Sequence, residues 1–256
     1  MPSTTTISHN GNTITFTEAD HSYKDKKGTV YTSVTTLVKM AFEAFDTVGN
    51  AKRKAEREGL DWQDLVKEWK ENGERSANLG TRLHENCEHQ ILGELDLMHK
   101  PQDLNEKIKF DLAFKAVNKL KTNHHNIKFE PEKLVFSPKM KLAGSIDLLI
   151  SKDDGTYEIY DWKNIKGISK TGFNGKRGIL ECSKNLQDSN YWHYNLQLQL
   201  YEIILKAENY IDRHAKVKRF LNVFENGKFN QYELEPVGDE AKGLILWFFS
   251  QQKAMN

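Results

Sequence analysis

Three charged residues, Asp147, Asp161 and Lys163, lie in two short apolar segments and are the first candidates for chemistry. The segments, 143–150 and 157–164, combine aliphatic and aromatic residues around a turn at 153–155, which predicts two strands of a sheet. A charge inside a sheet costs free energy unless a partner compensates it. A divalent metal ion is the simplest partner for two carboxylates, so the pattern indicates a cation site.

The register of this predicted hairpin decides whether the two carboxylates meet. A three-residue loop at 153–155, with its glycine in the left-handed conformation, pairs Lys152 with Thr156. Counting back then places Asp147 directly opposite Asp161, with Cβ atoms about 5 Å apart. A two-residue turn would shift the register by one residue and turn Asp147 to the other face. A surface hairpin with solvated charges is the remaining alternative.

Composition predicts a soluble globular protein. The chain has 256 residues, of which 38% are hydrophobic and 29% charged, enough for one large domain or two small ones. No apolar run approaches the ~20 residues of a membrane span, and the N-terminus lacks a secretory signal pattern. We therefore expect a cytoplasmic protein of a bacterium or a phage-infected cell. Two cysteines, Cys87 and Cys182, exclude a four-cysteine zinc site or iron–sulfur cluster within this chain.

The positive charges are concentrated after the candidate site, although the net charge is only +1. Segment 163–184 contains six basic residues and one acidic residue, Glu181. The basic residues are Lys163, Lys166, Lys170, Lys176, Arg177 and Lys184. Because five glycines lie in 155–178, we expect much of this segment to be a flexible basic loop. Such a loop beside a cation site can hold a phosphate backbone locally.

Periodicity predicts the elements that must position these residues. Strands and turns are expected in 12–38, where Val30 to Val38 is rich in β-branched residues, and three strands in 127–163. Apolar stripes predict helices within 39–72, at about 76–92, 104–123 and 191–207, and from near Asp239; a hairpin at 216–234 would turn at Asn226-Gly227. The stripe of the 104–123 helix is Ile108, Leu112, Ala116 and Leu120. Together these elements indicate one α/β or α+β domain with a mixed sheet surrounded by helices.

His84 is a further polar candidate, one helical turn after Gly80 on the predicted helix 76–92. A glycine there would allow another backbone to approach the imidazole closely. Glu85 and Glu88 could orient the ring through hydrogen bonds. A single helical histidine is more often packed or solvated than a metal ligand, so both interpretations stay open.

Gln197 and Tyr201 are four positions apart and therefore share one face of the predicted helix 191–207. Together they offer hydrogen-bond donors for phosphate oxygens and a ring for stacking on a base. The aromatic cluster Tyr191–Tyr194 precedes them and could stack unpaired bases or belong to the core. A helix with a mixed face is the alternative for the whole set.

Four short motifs now stand in a fixed order: Gly80-x-x-x-His84, Gly144-x-x-Asp147, Asp161-x-Lys163 and Gln197-x-x-x-Tyr201. This order resembles the PD-(D/E)xK nuclease superfamily in its RecB-like exonuclease branch. His21-x-Tyr23 and segment 31–37 are similar to phage-type and mitochondrial genome maintenance exonuclease-like members. The resemblance covers about residues 20–205.

The resemblance implies a restriction-endonuclease-like core, with a central mixed sheet flanked by helices, an N-terminal β-hairpin and a helical insert. It implies a single nuclease domain over 1–256, divided into an N-terminal hairpin and helical region (1–75), a catalytic core (76–210) and a C-terminal hairpin and helix (211–256).

The resemblance also implies residue roles. Asp147 and Asp161 would be catalytic metal ligands, His84 a further ligand, and the Trp162 backbone carbonyl another contact to the metal. Lys163 would orient or activate the attacking water. Asp161 stands where many members of the superfamily have Glu, and its shorter side chain draws the carboxylate toward the strand.

The implied activity is that of a Mg²⁺- or Mn²⁺-dependent DNA exonuclease acting on single strands or strand ends in recombination, repair or phage DNA processing. Gln197 and Tyr201 would position the DNA strand, and Lys170, Lys176 and Arg177 of the basic loop would add contacts. A recombination or single-strand-binding protein is a further candidate partner, and no membrane is expected. The alternatives are a restriction-like or structure-specific endonuclease and a non-catalytic DNA-binding accessory protein.

Overall fold

A mixed β-sheet of nine strands forms the centre of the part of the chain described by this computed structural model, residues 4–123, 127–225 and 227–254. The strands are β1 (Thr4–His9), β2 (Asn12–Thr17), β3 (Ser22–Asp25), β4 (Val30–Ser33), β5 (Lys128–Ser137), β6 (Leu142–Ser151), β7 (Tyr157–Asn164), β8 (Val217–Glu225) and β9 (Lys228–Glu233). The helices are α1 (Val34–Met40), α2 (Thr47–Glu58), α3 (Trp62–Leu92), α4 (Leu104–Asn123), α5 (Asn190–Ala207) and α6 (Gly238–Ala254).

The strand order is β1-β2-β3-β4-β6-β7-β8-β9, and β5 pairs with β6 off this path. The β4–β6 and β7–β8 pairs are parallel, and the other pairs are antiparallel. This sheet, flanked by helices, confirms the predicted fold class. Among the described residues, no helix combines the length and the apolar character needed to cross a bilayer.

The β6–β7 hairpin has the register that sets Asp147 opposite Asp161. Lys152 N–H donates to the Thr156 carbonyl (2.9 Å), as the three-residue turn predicts. The paired ladder extends back only to Leu148 and stops one residue before the two aspartates. The two strands therefore begin to separate at the position of the carboxylates.

Alternation along β7 divides its side chains between two apolar layers. Ile159 belongs to the layer formed with α1, α5 and α6, whereas Tyr160 and Trp162 belong to the layer formed with α3 and α4. By the same alternation, Asp161 and Lys163 extend toward the α5 side. Two charged side chains thus enter an otherwise apolar interface between the sheet and α5.

The N-terminal strands curl around a small core of their own. Ile14, Tyr23 and Tyr31 pack there with Phe136 of β5. The curl brings β1 across from β5, and the two strands line a cleft of about 540 Å³ that also includes Tyr210. β5 is consequently bordered by β6 on one edge and by this cleft on the other.

Helix α1 replaces the second half of the strand predicted at 30–38. The Ser33 side chain accepts a hydrogen bond from Thr36 N–H (3.0 Å) and so caps the helix that begins at Val34. Val34, Leu37 and Val38 are buried against the sheet. The cap and this burial outweigh the preference of β-branched residues for strands.

Helix α3 is continuous over 31 residues, so the predicted separate helix at 76–92 is only its C-terminal part. Gly73 does not interrupt it, and the helix ends where Gly93 adopts a positive φ of 81°. The N-terminal part of α3 packs against α2 through Ala51, Ala55 and Leu65. Between the two packed ends, residues 70–78 are all exposed.

The bounds predicted for α4 are confirmed, but its predicted stripe is wrong at Ile108, and Leu112 packs against the core only with part of its surface. Ile108 is 42% exposed and Leu112 is only half-buried, whereas Phe110, Ala113 and Val117 are buried with Ala116 and Leu120. The reason is that α4 packs against α3 as well as against the β8–β9 edge of the sheet. Contact with two neighbours buries a broader face of α4 than the predicted stripe, and this face is rotated around the helix axis. The hairpin predicted at 216–234 and the helix near Asp239 are present, and Asn226 lies outside the described residues.

Candidate metal centre

An imidazole and two carboxylates converge where α3, β5 and β6 meet. The ligand atoms of His84, Glu132 and Asp147 all lie within 4.8 Å of one another, and all three residues are half-buried. His84 Nδ1 is 3.3 Å from Asp147 Oδ2. Two carboxylates and one ring nitrogen form a donor set that suits a divalent cation such as Mg²⁺ or Mn²⁺.

The Trp162 peptide fixes both His84 and Asp147. His84 Nε2 is 2.6 Å from the Trp162 carbonyl oxygen, which can only accept, so Nε2 carries the hydrogen and donates it. In the neutral ring, Nδ1 then keeps a lone pair directed toward Asp147. The Trp162 N–H donates to Asp147 Oδ2 (2.7 Å) on the other side. The carbonyl predicted as a metal contact therefore faces the site, where it orients the imidazole.

The two glutamates that follow His84 are not bound to its ring. Glu85 pairs with His99, and the predicted orienting role belongs to the Trp162 carbonyl instead. Burial, with the charge of Glu94, raises the pKa of Glu88. Another backbone does approach the imidazole closely, at the Trp162 carbonyl, but Gly80 does not provide the space: apart from its own helix backbone, no described atom lies within 4 Å of the position that a Cβ would take there.

Glu132 is the member of this group that sequence reasoning missed. The β5–β6 register pairs Pro131 with Leu148 and Lys133 with Ile146, so Glu132 lies opposite Asp147. Its backbone has a positive φ of 43°, and its carboxylate accepts a hydrogen bond from the Ser145 hydroxyl (2.8 Å). Burial, followed by the negative charge of Asp147, raises the pKa of Glu132 to about 8. A cation between these carboxylates would remove that repulsion.

Asp161, which is buried, and Lys163, which is half-buried, form an ion pair beside the group. Lys163 Nζ lies 2.7 Å from Asp161 Oδ2, but that oxygen has no well-aligned hydrogen-bond donor among the described residues. Burial raises the pKa of Asp161 to about 6, with Asp147 adding to the effect against the opposing charge of Lys163. Burial alone would lower the pKa of Lys163, but the charges of Asp161 and Asp147 outweigh it and raise that pKa. The ammonium is therefore charged at neutral pH, and one buried carboxylate oxygen is incompletely satisfied.

Helix α5 borders the site on the face of the sheet opposite α3. The Lys163 ammonium lies 5.2 Å from the centre of the Tyr194 ring, an arrangement that favours a cation over the ring face. Gln197, one turn further along, lies beside the Tyr201 hydroxyl. Tyr194, Gln197 and Tyr201 therefore lie along one face of α5, which begins beside Lys163 and ends at the buried Tyr201 ring.

Tyr201 explains why position 144 is a glycine. A Cβ atom on Gly144 would lie 2.7 Å from Tyr201 Cε1 and 2.8 Å from its hydroxyl oxygen, closer than atoms can pack. The ring is buried, with 3% of its surface exposed, and supports β6 three residues before Asp147. Burial, with the nearby Tyr23, raises the pKa of Tyr201 well above its usual range. Contact of Tyr201 with DNA stays a prediction.

The basic loop predicted to be flexible has an ordered hydrogen-bonded structure. Lys170 pairs with Glu235, Lys176 pairs with Glu43 (2.5 Å), and Arg177 donates to a carbonyl within the loop. Both ion pairs are about half exposed. The three cations predicted to bind DNA thus lie on the surface of a defined structure that follows β7.

Three comparisons place this chain among known proteins. A sequence model described as the PD-(D/E)XK nuclease superfamily matches residues 36–245. A search of curated proteins finds no match. Among solved structures, SSO0001 is 18% identical with a TM-score of 0.34, over 84% of this chain and 75% of its own. A "putative exonuclease" from Eubacterium rectale is 13% identical with a TM-score of 0.41, over 68% of this chain and 65% of its own.

Proposed function

This chain belongs to the PD-(D/E)XK nuclease superfamily, and from that premise we propose that it is a metal-dependent DNA exonuclease acting on single strands or strand ends. Membership implies a hydrolytic nuclease. The observation that supports metal-dependent cleavage is the three-ligand group of His84, Glu132 and Asp147 beside the Asp161–Lys163 pair. The RecB-like branch and a role in recombination, repair or phage DNA processing belong to this proposal.

The residues fit Mg²⁺ or Mn²⁺. His84, Glu132 and Asp147 would hold the ion, and Asp161, with its incompletely satisfied oxygen, is the fourth candidate ligand. When bound, the ion would polarise the phosphodiester and lower the pKa of the attacking water. The charged Lys163 ammonium stabilises the negative charge that builds up on the phosphate oxygens during attack. A His ligand favours Mn²⁺ somewhat over Mg²⁺.

Protein groups around this centre would position the DNA strand. Gln197 lies on the face of α5 that leads to the site, and Lys170, Lys176 and Arg177 supply cations on the loop that leaves β7. Local positive charge can hold a phosphate backbone even when the net charge of the chain is near zero.

The decisive test is a gel assay with linear single-stranded DNA labelled separately at each end, run with Mn²⁺, with Mg²⁺ and with EDTA. We expect metal-dependent shortening that is lost in Lys163→Ala and Asp161→Ala. Lys184→Ala is the matched control, because it removes an exposed lysine that pairs with Glu181 on the same loop. Equal cleavage by the wild type and Asp161→Ala would refute the proposal.

A circular single-stranded substrate separates the alternatives. An exonuclease leaves the circle uncut, whereas an endonuclease of the same superfamily linearises it. DNA binding without cleavage of any substrate in Mn²⁺ would instead indicate a non-catalytic accessory protein.

A further inference from the structure

The loop between β7 and α5, residues 165–189, presents a phenyl ring that the metal centre does not use. Phe173 is 77% exposed and begins a single 3₁₀ turn that ends at Gly175. Asn174 and Gly175 have positive φ values of 53° and 70°, and Gly175 N–H closes the turn on the Gly172 carbonyl (3.0 Å). The exposure of the ring is therefore a property of a tight, hydrogen-bonded turn.

The base of this turn is closely packed. A Cβ atom on Gly172 would lie 2.3 Å from the Lys176 carbonyl oxygen, which leaves room for glycine alone. Asp188 N–H donates to the same carbonyl (2.8 Å), and the Gln187 side chain accepts from Gly172 N–H (3.2 Å). Because the backbone is already ordered, a ligand that contacts Phe173 would lose little entropy in fixing it.

The loop is attached to the rim of the candidate metal centre. Trp192 Nε1 donates to the Lys170 carbonyl (3.0 Å), and Tyr194, two residues further along α5, lies against Lys163. An extended backbone covers at most about 10 Å in three residues, so the Cα atoms of Phe173 and Lys170 lie within that distance of each other. A strand bound at Lys163 could therefore extend over this loop.

A second exposed ring lies beside the same loop. Phe45 is 71% exposed and is two residues from Glu43, whose carboxylate pairs with Lys176 (2.5 Å). Phe173 precedes Lys176 by one turn, and its carbonyl accepts from Lys176 N–H (3.1 Å). Each ring thus lies within three residues, in sequence, of one member of the same exposed ion pair. Exposed pairs contribute little stability, so a phosphate can replace the Glu43 carboxylate.

We propose that Phe173 and Phe45 stack on unpaired bases of a single DNA strand whose phosphates meet Lys176. This inference rests on the proposed function and names residues that would recognise its single-stranded substrate. Aromatic rings interspersed with cations bind single strands without sequence preference, because every base has a π face. The bases of a duplex are already stacked on each other and cannot use these rings.

Fluorescence anisotropy with the wild-type chain in EDTA tests the contact, using three labelled probes: a single strand, a strand of abasic sites of the same length, and a blunt duplex. We expect Phe173→Ala to weaken binding of the single strand by about 5- to 150-fold and to leave the affinity for the other two probes unchanged. Phe173→Trp should bind as the wild type does, whereas Phe173→Leu, which stays apolar but has no π face, should bind as Phe173→Ala does.

Ile179→Ala is the matched control, since Ile179 is an apolar residue of the same loop that is 61% exposed and cannot stack. Circular dichroism would verify the fold of every variant. Wild-type affinity in Phe173→Leu, or an equal loss on the abasic strand or the duplex, would overturn the inference. Metal-dependent cleavage, measured on the same preparations, reports separately on the proposed function. If the wild type cleaves DNA and Phe173→Leu binds the single strand as tightly as the wild type does, only the stacking inference is refuted. If the Phe173 variants lose single-strand binding selectively but the wild type does not cleave DNA, only the proposed nuclease activity is refuted.

Discussion

Neutralising Glu132 should stabilise the protein when no metal is bound. Burial and the charge of Asp147 raise the pKa of Glu132 from 4.5 to about 8. An acid whose pKa is higher in the folded state stabilises the fold fully below pH 4.5, and this contribution is lost as the pH rises through about 8. The stability of the metal-free protein should therefore fall across this range. Glu132→Gln keeps the size of the side chain and its oxygen for Ser145, but removes the charge.

The magnitude follows from the two pKa values. At about 1.4 kcal/mol for each pKa unit, the interval from 4.5 to about 8 corresponds to at most about 5 kcal/mol. The repulsion is shared with Asp147, so we expect Glu132→Gln to recover about 2–3 kcal/mol at pH 8. For a chain of this size, that gain corresponds to a rise in melting temperature of about 4–12 °C.

Differential scanning fluorimetry in EDTA at pH 5 and pH 8, followed by titration with Mn²⁺, measures both halves of the prediction. The wild type should gain stability from Mn²⁺, and Glu132→Gln should gain much less. Glu130→Gln is the control, because hydrogen bonds from Lys133 and Lys128 lower the pKa of Glu130 despite its burial. Neutralising Glu130 should give no stabilisation at pH 8. A Glu132→Gln variant that melts at or below the wild-type temperature at pH 8 in EDTA would refute the reasoning.

Three further substitutions test the packing around the site and the cap of α1. Gly144→Ala places a Cβ 2.7 Å from Tyr201 Cε1 and should cost about 1–3 kcal/mol in urea unfolding, less in a Tyr201→Leu background. Lys163→Met leaves Asp161 buried without its cation and should cost about 3–5 kcal/mol at pH 8. That cost should shrink near pH 5, because the pKa of Asp161 is about 6 even beside Lys163 and rises further without it, so the carboxylate then binds a proton. Ser33→Ala removes the helix cap and should lower the melting temperature by about 2–4 °C, a loss of about 1 kcal/mol.

The central hairpin was predictable because its determinants are local. The turn glycine at 155 has the positive φ that a three-residue loop needs, and the register followed by counting. The continuity of α3 was not predictable in the same way. An exposed glycine in a helix costs only about 1 kcal/mol, and the packed regions on both sides of Gly73 provide more than that.

The site was predictable where side-chain type and spacing define it, and not where the tertiary fold does. Glu132 follows a proline, and the apolar strand pattern of the sequence starts only after it, at Lys133. The structure extends the strand through Glu132, which has a positive φ. Pairing β5 against β6 in register was the signal that would have identified it. The glycine-rich basic loop was expected to be flexible from composition, whereas Gly172 is a packing position against the Lys176 carbonyl. Composition alone cannot distinguish a glycine that permits motion from one that permits contact.

The exposed middle of α3 means that the α2–α3 hairpin and the metal centre can diverge independently. At 1.5 Å per residue, the helix is about 46 Å long. Its residues 70–78 are all exposed, and some of them pair with neighbours on the same helix, as in Lys70–Glu74 and Arg75–Asn72. A bend near Gly73 would change the direction of the hairpin while His84, anchored by the apolar layer around Leu83, kept its place. Substitutions and length changes in the hairpin can therefore accumulate in related sequences without disturbing the ligand geometry.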